Sequence, residues 1–395
     1  MTRLPLDLVT DILLRQPVKS LLRFKCVCKI WCSTIDGPDF VKLHLEGSLK
    51  NGSNLSLMFK SLHLYSIGFE SLNTGVELDH HPLWDGFGCE TEVVGSCNGL
   101  VLLENSPGKL ALYNYSTRKY HQLPVEPIRM FERESDDPPY ICYGFGYDSV
   151  NDDYKVVRMV LGSFWDSGEG LSSPDAEVGV YSLKSDSWRR VFSLLSLYRP
   201  FYHKYFHRWC GVLAGGALHW VSPRDPVNDR PNFIIGFDLR SEEFYRVSQP
   251  DYETYNFDLD LSVLGGCLSA LCNYNSQCVD VWVMKEYGVK ESWTKLFKVE
   301  QPRLQFLKAL AYSEKGDQVL FLKNEEKLVW YDLQEKRTRR VRTACVLGSF
   351  SAQLCLGSLV PLSRSKGAEK LLDKKEKRNK NNRDDFLSEG FKLVL

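Results

Sequence analysis

Most of this chain alternates short apolar runs with turn residues, and this alternation limits its possible folds more than any other feature. From about residue 95 a loose repeat emerges, in which residues 95–103 predict two strands around an Asn-Gly turn. Altered copies of the unit follow in residues 143–157, 178–189, 215–247, 265–296 and 310–341. Units of roughly 40 to 50 residues with about four short strands are typical of β-propeller blades, because one small sheet cannot bury both of its faces alone.

The repeat predicts an all-β, propeller-like domain of about six blades over residues 55–362. An extended stack of β-sandwiches is the competing architecture. Aromatic residues recur beside the turns of the predicted outer hairpins, as at Phe237, Phe244 and Tyr331. Large aromatic side chains at such positions favour packing between neighbouring sheets, so we expect them in the core.

The first 45 residues differ from the rest, because their apolar residues recur at helical spacing and prolines interrupt them at intervals. A proline at the start of a helix gives up no hydrogen bond, so Pro5 and Pro17 predict the starts of two short helices. In the first of these helices, Leu8, Ile12 and Leu13 are expected on one face.

Turn and capping residues at 36–39 separate a third predicted helix from the start of a fourth. We therefore expect an α+β chain in two domains: a small helical domain over 1–45, a Gly/Ser/Asn-rich linker over 46–54, and the β domain. The helical segment contains more apolar side chains than three short helices can bury among themselves, which implies a partner surface. The alternative is an ordinary amphipathic cap packed on the β domain.

The pattern of residues 4–40 resembles the F-box of plant F-box proteins. Its matching positions are Leu4-Pro5, Leu8, 12–15, 17–29, Trp31 and 38–40. The resemblance implies a helix bundle that docks onto the Skp adaptor of an SCF-type cullin ubiquitin ligase, and through it joins the cullin and RING subunits. It assigns adaptor contacts to Leu4, Pro5, Leu8, Ile12, Leu13, Pro17, Leu21, Val27, Cys28 and Trp31. Gln16 departs from the pattern, since the family usually has leucine there; it either weakens docking or faces solvent.

The strings GSCNGLVLL, YGFGYDSVNDDYKVV, VYSLKSDSWRRV, GGALHWV and FDLRSEEFYRV are similar to the F-box-associated interaction domain that follows the F-box in a large plant family. The resemblance implies a kelch-like propeller that recruits the protein to be ubiquitinated. It makes this chain a non-catalytic substrate receptor whose target protein is ubiquitinated and then degraded by the proteasome.

Two stretches interrupt the strand pattern and are candidates for target binding. One is a Gly-rich loop that carries Phe164 and Trp165, and loops of this kind often carry recognition. The other mixes aromatic residues with arginine, the residue types that dominate binding hot spots. Its candidates are Tyr198, Phe201, Tyr202, Tyr205 and Arg208. The alternative is an inter-blade connection whose aromatic side chains are tucked into the barrel.

Composition excludes several other classes of function. Lys+Arg and Asp+Glu balance at 50 each, so whole-chain charge makes no case for nucleic acid or an anionic membrane. No apolar run approaches the roughly 20 residues that span a bilayer. The twelve cysteines contain no CxxC pair and no signal peptide is evident, so we expect reduced thiols in the cytoplasm or nucleus. The basic tail, 363–395, is expected to be disordered, and it is a nuclear import signal, a nucleic-acid patch or simply solvated chain.

The motifs predict no metal, cofactor or catalytic centre. His203 and His207 lie four residues apart, but the glutamate of a zinc-binding HExxH helix and a third ligand are missing. Two other functions stay open beside the ligase subunit: a protein-binding propeller that acts outside a ligase, and a glycan-binding or enzymatic propeller. The last rests only on fold-level analogy, and a fold alone does not confer a function.

Overall fold

The computed structural model describes residues 5–61, 63–72, 75–78, 81–83, 91–105, 108–127, 140–161, 176–191, 210–224, 231–274, 277–300, 304–342 and 348–362. In this part of the chain four α-helices come first and strands follow. The predicted order of a helical domain and an all-β domain is therefore confirmed.

The helices begin where the sequence places helix-starting prolines. Pro5 and Pro17 are the N-cap residues of α1 and α2, and Pro38 opens α4 at its first turn. The helices are α1 (Leu6–Leu14), α2 (Val18–Phe24), α3 (Lys29–Asp36) and α4 (Pro38–Asn51). The short non-helical connections between them, at 15–17, 25–28 and 37, leave the N-terminal unit only partly helical.

The fourth helix is longer than expected and replaces most of the predicted linker. It continues to Asn51 and ends at Gly52, whose φ of 61° lies in the left-handed region that glycine adopts readily. Gly47 and Ser48 are weak helix formers, but Ser48 is buried and its neighbour Leu45 packs on the β domain. Tertiary packing thus outweighs local propensity, and the predicted connection over 46–54 is corrected to 52–54.

The β domain consists of short strands that follow one another along the chain. They are β1 (Leu55–Lys60), β2 (Leu64–Gly68), β3 (Gly75–Glu77), β4 (Glu92–Cys97), β5 (Leu100–Asn105), β6 (Lys109–Asn114), β7 (Lys119–Gln122), β8 (Tyr140–Asp148), β9 (Asp153–Leu161), β10 (Ala176–Ser182), β11 (Ser187–Val191), β12 (Cys210–Ala214), β13 (Ala217–Arg224), β14 (Pro231–Asp238), β15 (Phe244–Val247), β16 (Asp258–Leu264), β17 (Cys267–Tyr274), β18 (Cys278–Met284), β19 (Trp293–Glu300), β20 (Leu307–Tyr312), β21 (Gln318–Lys323), β22 (Lys327–Asp332), β23 (Thr338–Arg340) and β24 (Ser351–Leu356).

These strands form four separate four-stranded sheets and one sheet of eight strands. The four have the orders β24-β1-β2-β3, β4-β5-β6-β7, β16-β17-β18-β19 and β20-β21-β22-β23. The eight-stranded sheet arises because β8 and β12 pair in parallel, Tyr143 with Cys210 and Gly144 with Gly211. The prediction of about six separate blades is corrected accordingly: four sheets stand alone and the other eight strands are continuous.

Glycine explains why two strands meet edge to edge in the eight-stranded sheet. A Cβ on Gly144 would lie 2.8 Å from the ring of Trp220, and one on Gly211 would lie 2.5 Å from the same ring. Only residues without a side chain allow the two backbones and the indole to approach this closely. The sequence pattern of alternating apolar residues carries no signal for such a contact.

The sheets are arranged in a ring. The inner strands lie next to one another in the order β4, β8, β12, β16, β20 and β24, and β24 is again next to β4. Strand β24 also pairs with β1 from Leu55↔Leu356 to Lys60↔Ser351, so the two ends of the domain share one sheet. The propeller is confirmed. A stack of sandwiches would leave the first and last sheets apart, so that alternative is wrong.

Aromatic side chains lie in the core, as expected. Tyr331 of β22 is buried between two sheets and stacks on Phe297 of β19 with ring centroids 5.2 Å apart. Phe237 is also buried, and the half-buried Phe244 of the neighbouring strand packs on it with ring centroids 4.8 Å apart. Aromatic pairs in such edge-on geometry add about 0.5–1.5 kcal/mol beyond their buried area.

A buried ion cluster joins the two halves of the eight-stranded sheet. Lys155 of β9 lies 2.8 Å from Asp148 and 2.9 Å from Glu242, which follows β14, and donates to the Leu239 carbonyl at 2.6 Å. Burial pulls the pKa of Asp148 upward, but hydrogen bonds from Lys155 and Asn151 outweigh it and bring the pKa to about 2. The aspartate is therefore ionised at neutral pH and fixes the lysine.

Two further properties of the described residues bear on function. Their helices are too short or too polar for any of them to cross a membrane. The same residues contain no group of three or more His, Cys, Asp or Glu side chains placed to hold a metal ion. His203, His207 and the basic tail lie outside the described residues.

Candidate functional site

Exposed apolar side chains are concentrated on the four helices. Of the twelve large apolar residues with strongly exposed side chains in the described part of the chain, seven belong to this small unit. Each is more than half exposed, and they are Leu6, Leu8, Ile12, Val27, Ile30, Leu43 and Leu49. An accumulation of this kind is typical of a protein interaction surface, whereas single exposed apolar residues need no explanation.

Helix α1 divides its apolar residues between two faces. Leu8 and Ile12, four residues apart, are 51% and 53% exposed. Leu13 is 1% exposed and lies in the core of the helical unit, where Val9 packs beside it. The prediction that Leu13 shares a face with Leu8 and Ile12 is wrong, because one residue along a helix turns the side chain by about 100°.

The ten residues assigned to adaptor binding therefore separate into groups. Leu13 and Leu21 are core residues, so their assignment as direct contacts is corrected: they support the surface from beneath. Pro5, Leu8, Ile12, Pro17, Val27 and Cys28 are exposed, and Trp31 is half-buried. Leu4 lies outside the described residues.

Local contacts fix the conformation of the α2–α3 connection, which forms one end of this surface. The Sγ atom of Cys28 accepts a hydrogen bond from the Trp31 amide at 3.5 Å and so caps the start of α3. The Trp31 ring meets Phe24 edge-on with centroids 5.7 Å apart. Lys25 of the α2 end pairs with Asp36 of α3. These contacts place Val27 and Ile30 on the outside of the α2–α3 connection.

Gln16 has a structural role that neither expectation covered. Its side-chain Nε2 donates to the carbonyl oxygen of Ile12 at 3.2 Å, which satisfies an unpaired acceptor at the end of α1. Its own carbonyl accepts a hydrogen bond from Nε2 of the buried His44 at 2.9 Å, which ties α1 to α4. The side chain is half-buried, so it lies at the border of the exposed surface rather than in free solvent.

Four exposed residues of the surface were missed by the sequence reasoning. Leu6 and Ile30 adjoin assigned positions, and the excess of apolar residues in the helical segment was a signal for them. Leu43 and Leu49 were harder to find, because α4 buries Phe40, His44 and Ser48 at intervals of four and exposes leucines instead. Hydrophobicity alone predicts the opposite face.

Comparison with known proteins agrees with this geometry. Residues 1–43 match the F-box domain family, and residues 54–358 match the F-box associated beta propeller domain. This chain is an F-box protein. It belongs to the family in which an F-box precedes an F-box-associated propeller.

Curated relatives from Arabidopsis thaliana share this organisation over their full length. The F-box protein CPR1 is 41% identical over 418 residues, and the F-box protein At4g22390 is 36% identical over 413 residues; each alignment covers 100% of both chains. A solved structure, oligogalacturonate lyase in complex with manganese, aligns with 71% of this chain and 70% of its own at 12% identity and a TM-score of 0.39, a similarity too low to bear on activity. The F-box implies a Skp-type adaptor as a partner.

Asn54 fixes the F-box to the propeller. Its Oδ1 accepts from the Val18 amide at the start of α2 at 3.2 Å, and its Nδ2 donates to the Ser48 hydroxyl of α4 at 2.9 Å. Its backbone carbonyl accepts from the Gly357 amide at 2.8 Å, just after β24. One residue of the connection thus touches two helices of the F-box and the end of the propeller.

The segment after β24 completes the core of the F-box. Leu359 is buried in the same apolar cluster as Leu13, Val18 and Leu21, whereas Val360 packs on the propeller side. The buried Asn114 of β6 holds this segment, because its Nδ2 donates to the carbonyl oxygens of Ser358 at 3.2 Å and Val360 at 2.9 Å. The F-box and the segment that closes the propeller therefore share a core.

The predicted target-binding residues all lie outside the described residues, in 162–175 and 192–209. The strand ends that flank the first stretch can be placed: Leu161 pairs with both Tyr140 and Ala176, which defines one edge of the sheet. The opposite edge carries the turn between Asp148 and Asp153.

The edge near that turn faces the F-box. Tyr154, beside the turn, packs on the same apolar cluster as Val41 and Leu45 of α4. In the turn after β4, a Cβ on Gly99 would lie 2.1 Å from the Ser358 hydroxyl, in the segment that holds the F-box. Leu161 and Ala176, the described residues on either side of 162–175, thus lie at the edge of the sheet away from the F-box.

Proposed function

We propose that this protein is the substrate-recognition subunit of an SCF-type cullin ubiquitin ligase. The F-box docks onto the Skp-type adaptor, the adaptor joins it to the cullin and RING subunits, and the propeller holds the protein to be ubiquitinated and degraded. The observation that carries this proposal is the group of seven exposed apolar side chains on the F-box. Fully burying one such side chain is worth roughly 1.5–3 kcal/mol, so a partner that covers several of them gains a stable complex.

The contribution of the chain to ubiquitin transfer is positioning rather than bond making. Holding two reactants in a fixed geometry makes the transfer effectively unimolecular, and this requires a rigid link between the two binding surfaces. The shared core around Leu359 and the hydrogen bonds of Asn54 supply such a link.

The cysteines of the propeller core support a non-catalytic role. Burial raises the pKa of the Cys97, Cys210 and Cys355 thiols to about 12. At neutral pH these thiols are protonated, and the thiol is a much weaker nucleophile than the thiolate. All ten cysteines of the described residues are unpaired, which fits a protein of the reducing cytoplasm or nucleus.

We place target binding at the propeller edge away from the F-box, with Phe164, Trp165, Tyr198, Phe201, Tyr202, Tyr205 and Arg208 as the proposed contacts. Aromatic residues and arginine dominate binding hot spots, which supports the choice.

Polar substitutions on the exposed face of α1 test the proposal. Leu8→Ser with Ile12→Ser removes two exposed apolar side chains without touching the core, so capture of a purified Skp-type adaptor is expected to fall more than tenfold while the melting temperature is preserved. The matched control is Val125→Ser with Val150→Ser, two exposed valines of the propeller, for which capture is expected to stay as in the wild type.

Unchanged capture by the α1 double variant contradicts the docking surface. If the wild-type protein binds no Skp-type adaptor yet retains a stable protein partner, the chain acts as a binding module outside a ligase. In either case a reconstituted ligase assay with the captured target separates adaptor docking from target ubiquitination.

A further inference from the structure

A cavity of about 630 Å³ lies along the axis of the propeller. All six inner strands, β4, β8, β12, β16, β20 and β24, contribute to its lining. Ser48, Leu49 and Gly52, at the end of α4, also border it, so the cavity reaches the F-box side of the domain. Small-molecule sites in proteins typically have volumes of roughly 300–1,000 Å³, and this cavity falls in that range.

Much of the lining is apolar. Phe145, Leu213, Leu261 and Phe306 contribute side chains from four different inner-strand regions. A lining of this kind suits a ligand with an apolar body, for which the few polar groups of the site fix the orientation.

Two buried donors of the lining have no hydrogen-bond partner among the residues that the structure describes. They are the indole Nε1 of Trp220 and the hydroxyl of Ser262, and each residue is 3% exposed. Leaving a buried polar group unpaired costs about 1–3 kcal/mol, so native proteins rarely do it without a reason. An indole nitrogen only donates, so its missing partner must be an acceptor.

A third donor, the ammonium of Lys308, lies in the same cavity. Its Nζ donates to the carbonyl of Ala352 at 3.2 Å and to Oε1 of Gln353 at 3.0 Å. An ammonium carries three hydrogens, so one remains for another acceptor. Within the described residues Lys308 forms no ion pair, and burial lowers its pKa.

The three donors come from neighbouring parts of the lining. Nε1 of Trp220 is 3.1 Å from the position that a Cβ on Gly211 would occupy. Strand β16, which carries Ser262, lies next to β13, which carries Trp220, and next to β20, which carries Lys308. Asp260 and Glu325 line the cavity too, so its charge does not select for anions alone.

We propose that this axial cavity binds a small organic molecule with an apolar body and a carbonyl-type oxygen that accepts hydrogen bonds from Trp220 and Ser262. Carboxylic acids and carboxamides share this acceptor. A carboxylate also forms an ion pair with Lys308 through the remaining ammonium hydrogen. A carboxamide has no charge to pair, so this contact distinguishes carboxylates from carboxamides.

The test uses the purified full chain and two pairs of probes: 3-phenylpropanoate and naphthalene-2-carboxylate, each beside its carboxamide. Binding is measured by saturation-transfer NMR and calorimetry. Trp220→Phe replaces the indole by a smaller phenyl ring that has no N–H group, and Ser262→Ala removes the hydroxyl, so each is expected to weaken binding about tenfold. Lys308→Met is expected to weaken the carboxylates more than the carboxamides.

Trp282→Phe is the matched control, because its indole nitrogen is also buried and unpaired but the residue does not line the cavity. It is expected to leave probe binding unchanged. The proposal is overturned if no probe binds the wild type at millimolar concentration, which means that the cavity holds water only, or if Trp220→Phe and Trp282→Phe have equal effects. Adaptor capture by Trp220→Phe stays at the wild-type level, which separates this test from that of the ligase role.

Discussion

The backbone amide of Gly357 donates a hydrogen bond to the carbonyl oxygen of Asn54 at 2.8 Å and so joins the last strand of the propeller to the end of the F-box. Asn54 also binds the Val18 amide and the Ser48 hydroxyl, so a single residue links three separate parts of the chain. In a substrate receptor this link transmits the position of the adaptor to the position of the target.

Asn54→Gly is expected to weaken the attachment of the start of α2 to the linker. The φ of Asn54 is 59°, a conformation that glycine also adopts, so the backbone is preserved while the side-chain hydrogen bonds are lost. Leaving the Val18 amide unpaired costs about 1–3 kcal/mol. Hydrogen exchange of the Val18 amide, followed in a peptide that begins several residues before Val18, is expected to accelerate. Asn54→Asp, which keeps the acceptor for Val18 and loses the donor to Ser48, is expected to protect this amide; equal exchange in both variants contradicts the assignment.

Leu359→Ala is expected to destabilise the F-box, although the residue lies more than 300 positions away in sequence. It removes a buried leucine from the cluster that contains Leu13 and Leu21, and such cavities cost about 2–5 kcal/mol. Faster hydrogen exchange in α1 to α3 and weaker adaptor capture are the measurements. Val360→Ala is the matched control, because that side chain packs on the propeller. If the helices of Leu359→Ala exchange hydrogen at the wild-type rate, the F-box core does not depend on the segment after β24.

Gln16→Leu is expected to bind the adaptor roughly two- to tenfold more tightly, because it adds apolar area beside the exposed Ile12. Stability is expected to change by less than about 1 kcal/mol, since only the exposed hydrogen bond to the Ile12 carbonyl is lost. Calorimetry with the adaptor and thermal unfolding measure the two effects. Thr10→Val, which removes a comparable bond to the Leu6 carbonyl, controls for helix effects. Unchanged or weaker binding places residue 16 outside the interface.

His219 is expected to make the propeller less stable in mild acid. Burial lowers its pKa to about 4 from an ordinary value of 6.5. The Nδ1–H group of the neutral ring donates to the Val212 carbonyl at 3.0 Å, and Nε2 accepts from the Tyr287 hydroxyl at 2.7 Å. Between pH 6.5 and 4 the unfolded chain therefore binds a proton that the native protein does not, so stability falls as the pH falls, by roughly 3 kcal/mol over the whole range.

His219→Gln removes this titration, so the loss of unfolding free energy between pH 6.5 and 4 is expected to be smaller in the variant. Urea unfolding across that range is the measurement. Burial also raises the pKa of Glu104 to about 7, so the difference between the two proteins, rather than either curve alone, reports on His219. Parallel pH profiles for the variant and the wild type would contradict the role of His219.

Local patterns were sufficient for much of the fold. Pro5, Pro17 and Pro38 mark the starts of three helices because the chemistry of proline at a helix start depends on its immediate neighbours alone. The strand-and-turn repeat likewise led to the propeller, because each unit needs neighbours on both faces.

The functional surface was predicted less completely. The α1 pattern placed Leu13 beside Leu8 and Ile12, yet only the last two reach the surface. In α4 the buried positions are taken by His44 and Ser48, while Leu43 and Leu49 face outward. Which stripe of a helix is buried depends on what packs against it, and for the F-box part of that packing comes from Leu359.

The sequence by itself determined the order of elements, the two domains and the need for a partner, because helix starts, turns and an excess of apolar side chains are local properties. Tertiary structure alone decided the joining of β8 to β12, the completion of the F-box core by the segment after β24, and the unpaired donors of the axial cavity. Each of these depends on contacts between residues far apart along the chain, and no local pattern encodes which distant residues meet.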